Sequence, residues 1–164
     1  MKTAYAIAEK LTKKEMERFD MNGFSISKNI YVINNDEVDF EGIDSDKEII
    51  LNFSRVLKNI GKGDFMDYCF HYALKTKKLC EVEDGVYFIQ KNFIEVNFSD
   101  IQKGDIVLFG DDCNYLHFAI IDTTSNLIND VIVRGKFGEL GIYRHTLGNT
   151  PNIYGNFVSF WRRK

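Results

Sequence analysis

The chain has 164 residues, 45% apolar, 27% charged and 14% aromatic, with 12 Gly and a single Pro. That length suits one domain, can bury roughly 70% of its unfolded surface without a disulfide or metal, and with 14 Phe and eight Tyr excludes disordered, collagen-like and coiled-coil classes. The balance of 21 basic against 24 acidic residues, a formal −3, lacks the basic excess that a nucleic-acid partner would require.

Charge returns too early in residues 1–10 for a signal peptide, which needs an apolar stretch of about 7 to 15 residues, or a membrane span, which needs about 20. Cytoplasmic synthesis is therefore expected, with any export by a route that cleaves no signal. Residues 3–20 read as a helix, and Ile30 to Ile33 as a short strand. Over residues 46–60, Ile49, Ile50, Phe53, Val56, Leu57 and Ile60 follow the spacing of an amphipathic helix, closed by Gly61. Asp64 or Asp67 can cap a further helix over 68–79, with acidic residues before its start and lysines at its end. Beyond it the period changes to two. Residues 106–109, 117–121, 128–134, 142–143 and 157–161 read as strands joined by polar turns. No repeat or linker divides the chain. Helices followed by an antiparallel meander predict a single α+β domain, with 1–60 as a helical cap or specificity element and 61–164 as the core.

Two residues stand out chemically. Cys69 falls in the first turn of its predicted helix, where backbone amides favour a thiolate and can also serve as an oxyanion hole. A nucleophilic cysteine needs a base, usually histidine. His71 projects about 200° around the helix from Cys69, which leaves His117, at the head of the apolar strand His117 to Ile121. The plain alternatives are a core cysteine and a hydrogen-bonded structural histidine. Asp111 and Asp112 read as a solvated loop near enough to His117 to influence it. The runs Lys75, Lys77, Lys78 and Arg162 to Lys164 read as solvated ends, and Tyr143, Tyr154 and Trp161 as core or cleft wall. Gly135, Gly138 and Gly141 form a Gly-rich turn with no following helix to cradle a phosphate.

The three cysteines, Cys69, Cys80 and Cys113, are odd in number and irregular in spacing, which gives no disulfide framework. A competing zinc site would combine Cys113 and His117 with Cys69, His71 or Cys80. Cys113 and His117 have C-x3-H spacing, but no C-x-x-C occurs, and in a strand the two would stand about 13 Å apart unless a loop folds them together. No metal or cofactor is expected.

The order of these features resembles the papain-like cysteine hydrolases, above all the NlpC/P60-like and CHAP-like branch. The motifs are Ile101 to Phe109 with its Lys103-Gly104-Asp105 turn, His117 to Ile121, Val131 to Gly138, His145, and Pro151-Asn152-Ile153-Tyr154-Gly155. They span roughly residues 64–161. Enzymes of that branch usually carry Asp-Cys-Ser-Gly, where this chain has Asp67-Tyr68-Cys69-Phe70, and a Ser where it has Gly135. The resemblance implies a papain-like fold with N-terminal helices on a small antiparallel sheet. It implies Cys69 as nucleophile and His117 as base, acting on peptide amides of a peptidoglycan type, with esters as a further substrate class. The third residue that would orient His117 stays open between Asn129 and Asp130, according to strand register. A catalytically silent binding domain is the alternative.

Overall fold

The computed structural model describes residues 27–35, 57–63, 68–76, 79, 81–111, 114–138 and 141–164. The helix expected over 3–20, most of that over 46–60, the Asp64 and Asp67 caps, Cys80, Asp112 and Cys113 lie outside these residues. In chain order the elements are β1 (Tyr31–Val32), β2 (Lys58–Gly61), α1 (Cys69–Leu74), α2 (Val82–Asn92), β3 (Phe93–Val96), β4 (Ile106–Gly110), β5 (Tyr115–Thr123), β6 (Ile132–Lys136), β7 (Ile142–Thr146) and β8 (Phe157–Arg163). Short 3-10 turns join several of them. No helix among the described residues is long and apolar enough to cross a membrane.

All the strands join one antiparallel sheet in the order β1-β8-β4-β5-β6-β7-β2, with β3 also on β8. β1 takes the Phe157–Val158 half of β8 and β3 takes the Phe160–Arg163 half. Period-two alternation sorts the side chains of the central strands between the two faces. Ile106 and Leu108 of β4, with Phe118 and Ile120 of β5, meet Phe70, Ala73 and Leu74 of α1 and Ile89 of α2. Val107, Phe109, Ala119 and Ile121 point the other way, onto Ile33, Ile128, Val131 and Leu147 from loops and 3-10 turns. Burial on both faces explains why β4 is apolar at four successive positions rather than alternating.

The expected α+β, papain-like arrangement is corrected by this architecture, which is mainly β: among the described residues, eight sheet strands stand against helices of 6 and 11 residues. The sheet is the body of the described protein rather than a small platform for helices. Residues 58–60, expected to end a helix, instead lie in a strand on β7, where Lys58 pairs with Arg144, Asn59 with Tyr143, and Ile60 falls in a register shift. Their side chains are exposed, so local periodicity carried little information there. α1 stops at Leu74, where Lys75 adopts a left-handed conformation at φ 54°, well short of residue 79. α2 went unrecognised in the sequence, although Val82, Val86 and Ile89 hold a helical stripe behind Glu83 and Asp84 in its first turn. The strand expected from residue 128 begins at 132, because residues 128–130 form a 3-10 turn.

The Lys103-Gly104-Asp105 turn that enters β4 is held by its own aspartate. Gly104 has φ 96°, a conformation suited to glycine. Buried Asp105 accepts the Gln102 amide at 2.7 Å and receives both Nε and Nη2 of Arg162 at 2.8 Å. This two-point pair ties the turn to the end of β8.

Candidate functional site

Cys69 opens α1, as the sequence predicts. Its cap residue is Tyr68, whose N–H donates to Nδ1 of His71 at 2.9 Å. Since an amide only donates, Nδ1 of His71 is bare and its Nε2–H donates to the Leu79 carbonyl at 2.6 Å. Both ring nitrogens of His71 are thus committed to tying off α1. That removes it as a base for Cys69 and as a zinc ligand. Among the described residues no group of three metal-ligating side chains converges.

The Cys69 thiol is free and partly buried, packed beside the helix-side core. Burial pushes it up to about 11, while the backbone amides of Phe118, Phe70 and Cys69 itself pull it down. Phe118 directly follows His117, so the start of α1 reaches the backbone of β5 beside the predicted base. The place is a specific junction in the sheet. β5 is paired with β4 from Tyr115 onward, but its registered pairing with β6 starts only at Ile120. A β-carbon at Gly135 of β6 would fall 3.5 Å from the Phe118 carbonyl and 3.1 Å from Nε2 of His117. In an antiparallel strand a residue's N–H and C=O point to the same side, so the Phe118 N–H that meets the thiol lies on this Gly135 side. Gly135 leaves room for the imidazole.

His117 is 1% exposed and shares its sheet face with Ala119 and Ile121, opposite the face that carries α1. Its ring lies 4.3 Å from Tyr154, 4.9 Å from Phe137 and 5.4 Å from Phe109, nearly parallel to the first two. Nε2 is buried without a hydrogen-bond partner among the described residues. Burial pushes His117 down to about 3, and the charge His145 would carry acts in the same direction. His145, 4% exposed, is brought down to about 4 by burial, against the hydrogen bond from Nδ1–H to the Thr146 carbonyl at 2.7 Å. Both imidazoles are therefore neutral at neutral pH.

Neither candidate for a third residue reaches His117. The β5–β6 register pairs Ile120 with Arg134 and Ile121 with Val133, so the connection is longer than a turn at Ser125 would make it. Continued along the strands, that register sets residue 117 beside Phe137. Asn129 sits in the 3-10 turn beyond the strands and accepts the Asn34 amide at 2.9 Å. Asp130 lies in the same turn, its N–H bonded to the Leu127 carbonyl. Asp111 is a local turn residue accepting the Asn114 amide at 2.8 Å.

The residues that surround His117 instead are Phe137, His145 and Tyr154, which sequence reasoning left as core, motif match or cleft wall. Tyr154 also lies near enough to Cys69 that a thiolate there would raise its phenol further, beyond what burial does. A shallow groove of about 440 Å³ along the outer side of α2, lined by Leu79, Tyr87, Phe88 and Lys91 among others, shares no residue with this site. No protein-family model, no curated protein and no solved structure matches this chain.

Proposed function

We propose that the protein is a cysteine hydrolase in which Cys69 attacks an amide or ester carbonyl and His117 serves as base and then acid. One observation carries this reading: the Cys69 thiol meets the Phe118 amide at the junction beside Gly135, where the His117 ring also lies. The resting groups are a neutral thiol and a neutral imidazole, so the proton moves as the bond forms. His117 takes the proton from sulfur as the sulfur attacks carbon. It returns that proton to the departing amine or alcohol and then draws one from the water that cleaves the thioester. The Phe118 and Phe70 amides favour negative charge on the sulfur before attack. The motifs shared with NlpC/P60-like and CHAP-like enzymes, rather than the fold, support peptide amides of a peptidoglycan type as substrates.

A second reading, a catalytically silent binding domain, is favoured by the deep burial of His117, which makes it a weak base. Alkylation of Cys69 by iodoacetamide, read by peptide mass in folded protein, separates the two. Under the hydrolase reading, His117→Ala slows modification by about tenfold or more at about pH 6 to 8. Under the silent reading both proteins react alike, and faster only as pH rises toward the thiol's own value of about 11.

A further inference from the structure

The loop from Pro151 to Asn156 is built with a close fit that its position at the protein surface does not demand. Gly155 has φ 80°, and a β-carbon there would collide with the Gly110 carbonyl at the end of β4. The Gly155 carbonyl accepts Asn35 Nδ2 at 3.0 Å, and the Asn156 carbonyl accepts the Ile33 amide at 2.9 Å. Tyr154 N–H donates to the Pro151 carbonyl at 3.1 Å, closing the turn. These contacts fix one side chain above all, the half-buried Tyr154. Its ring lies 4.3 Å from the His117 ring, tilted by 27°, and 5.5 Å from Phe137.

We infer that Tyr154 is a positioning residue for His117, holding the imidazole by ring contact at the angle from which it reaches the Cys69 thiol. The inference rests on the Cys69–His117 reading and adds to it the group that orients the base. Cys–His sites commonly assign that task to a hydrogen-bonding side chain on the base. Among the described residues, neither Asn129 nor Asp130 performs it. The contact with Tyr154 is a ring packed on a ring, so the orienting role is assigned to the aromatic plane. Phe137 flanks the same imidazole but is 4% exposed and also touches Tyr143 and His145, so it serves the core as well. Tyr154 reaches the base from a loop.

The test is a double-mutant cycle on the rate of Cys69 alkylation by iodoacetamide, read by peptide mass at about pH 7, with thermal melts to confirm folding. Tyr154→Leu is expected to slow alkylation by about tenfold, and Tyr154→Phe to stay within about twofold of the parent. The pair Tyr154→Leu with His117→Ala should react no more slowly than His117→Ala alone, because both changes remove one function. A purely structural tyrosine would give additive losses, and that result overturns the inference. So does an unaffected Tyr154→Leu in a protein where His117→Ala is slow, which leaves the hydrolase reading standing. An unaffected His117→Ala removes that reading and this inference together. If Tyr154→Leu does not fold, Tyr154→Met, unbranched, adaptable in packing and lacking a ring plane, takes its place with the same expectations.

Discussion

Two histidines with no charge stand within the loop-side half of the protein. In the unfolded chain each would accept a proton near pH 6.5, whereas in the folded protein His117 waits until about 3 and His145 until about 4. Between those values the unfolded state binds more protons, so their contribution to stability is complete above about pH 6.5 and falls as the pH drops. Each histidine costs about 1.4 kcal/mol per pH unit within its window. Urea unfolding at a series of pH values should show stability falling steeply below about pH 6, and His145→Leu should roughly halve the slope that these two groups contribute. An unchanged slope would mean that His145 is protonated in the folded protein. His71 illustrates the opposite environment: both its nitrogens are satisfied by backbone. Local sequence spacing excluded it as the partner of Cys69, and the structure supplies its positive role as a tie for α1.

At the scale of elements, β8 is the strand on which the others depend. It pairs with β1, β3 and β4, and its Arg162 grips Asp105 across the β4 entry. Arg162→Met leaves a nearly buried carboxylate without its two-point partner, so the melting temperature should fall by several degrees. Adding Asp105→Asn to that variant should recover part of the loss. An Arg162→Met protein that melts like the parent would show the pair to be dispensable. β4, β5 and β8 were legible in the sequence because their apolar runs sit between turn residues such as Lys103-Gly104-Asp105. β2 was not, since Lys58 to Ile60 expose their side chains and owe their conformation to hydrogen bonds with β7. The placement of the candidate residues was legible to a similar depth. Cys69 at a helix start and His117 on an apolar strand could be read from type and pattern. The support of His117 by Phe137 and Tyr154 could not, because it depends on a register that no local pattern fixes.

At the largest scale, among the described residues, one antiparallel sheet separates a face covered by two short helices from a face covered by loops and 3-10 turns. Cys69 belongs to the first layer and His117 to the second. The thiol reaches the Phe118 amide and the imidazole lies beside Gly135, at the junction where β5 is not yet in register with β6. We propose that a thiol and an imidazole from opposite layers act there as one nucleophile–base pair. Acetyl transfer from p-nitrophenyl acetate to Cys69 tests this most directly, because it requires both groups and no knowledge of the natural substrate. The sulfur attacks the acetyl carbon, p-nitrophenolate leaves, and the thiol proton passes to His117. With intact protein at neutral pH, the account predicts an acetyl adduct on Cys69 in a mass spectrum, forming about a hundredfold more slowly in His117→Ala. An adduct that forms equally fast without the imidazole, or neither an adduct at Cys69 nor release of p-nitrophenolate while the protein remains folded, would contradict it.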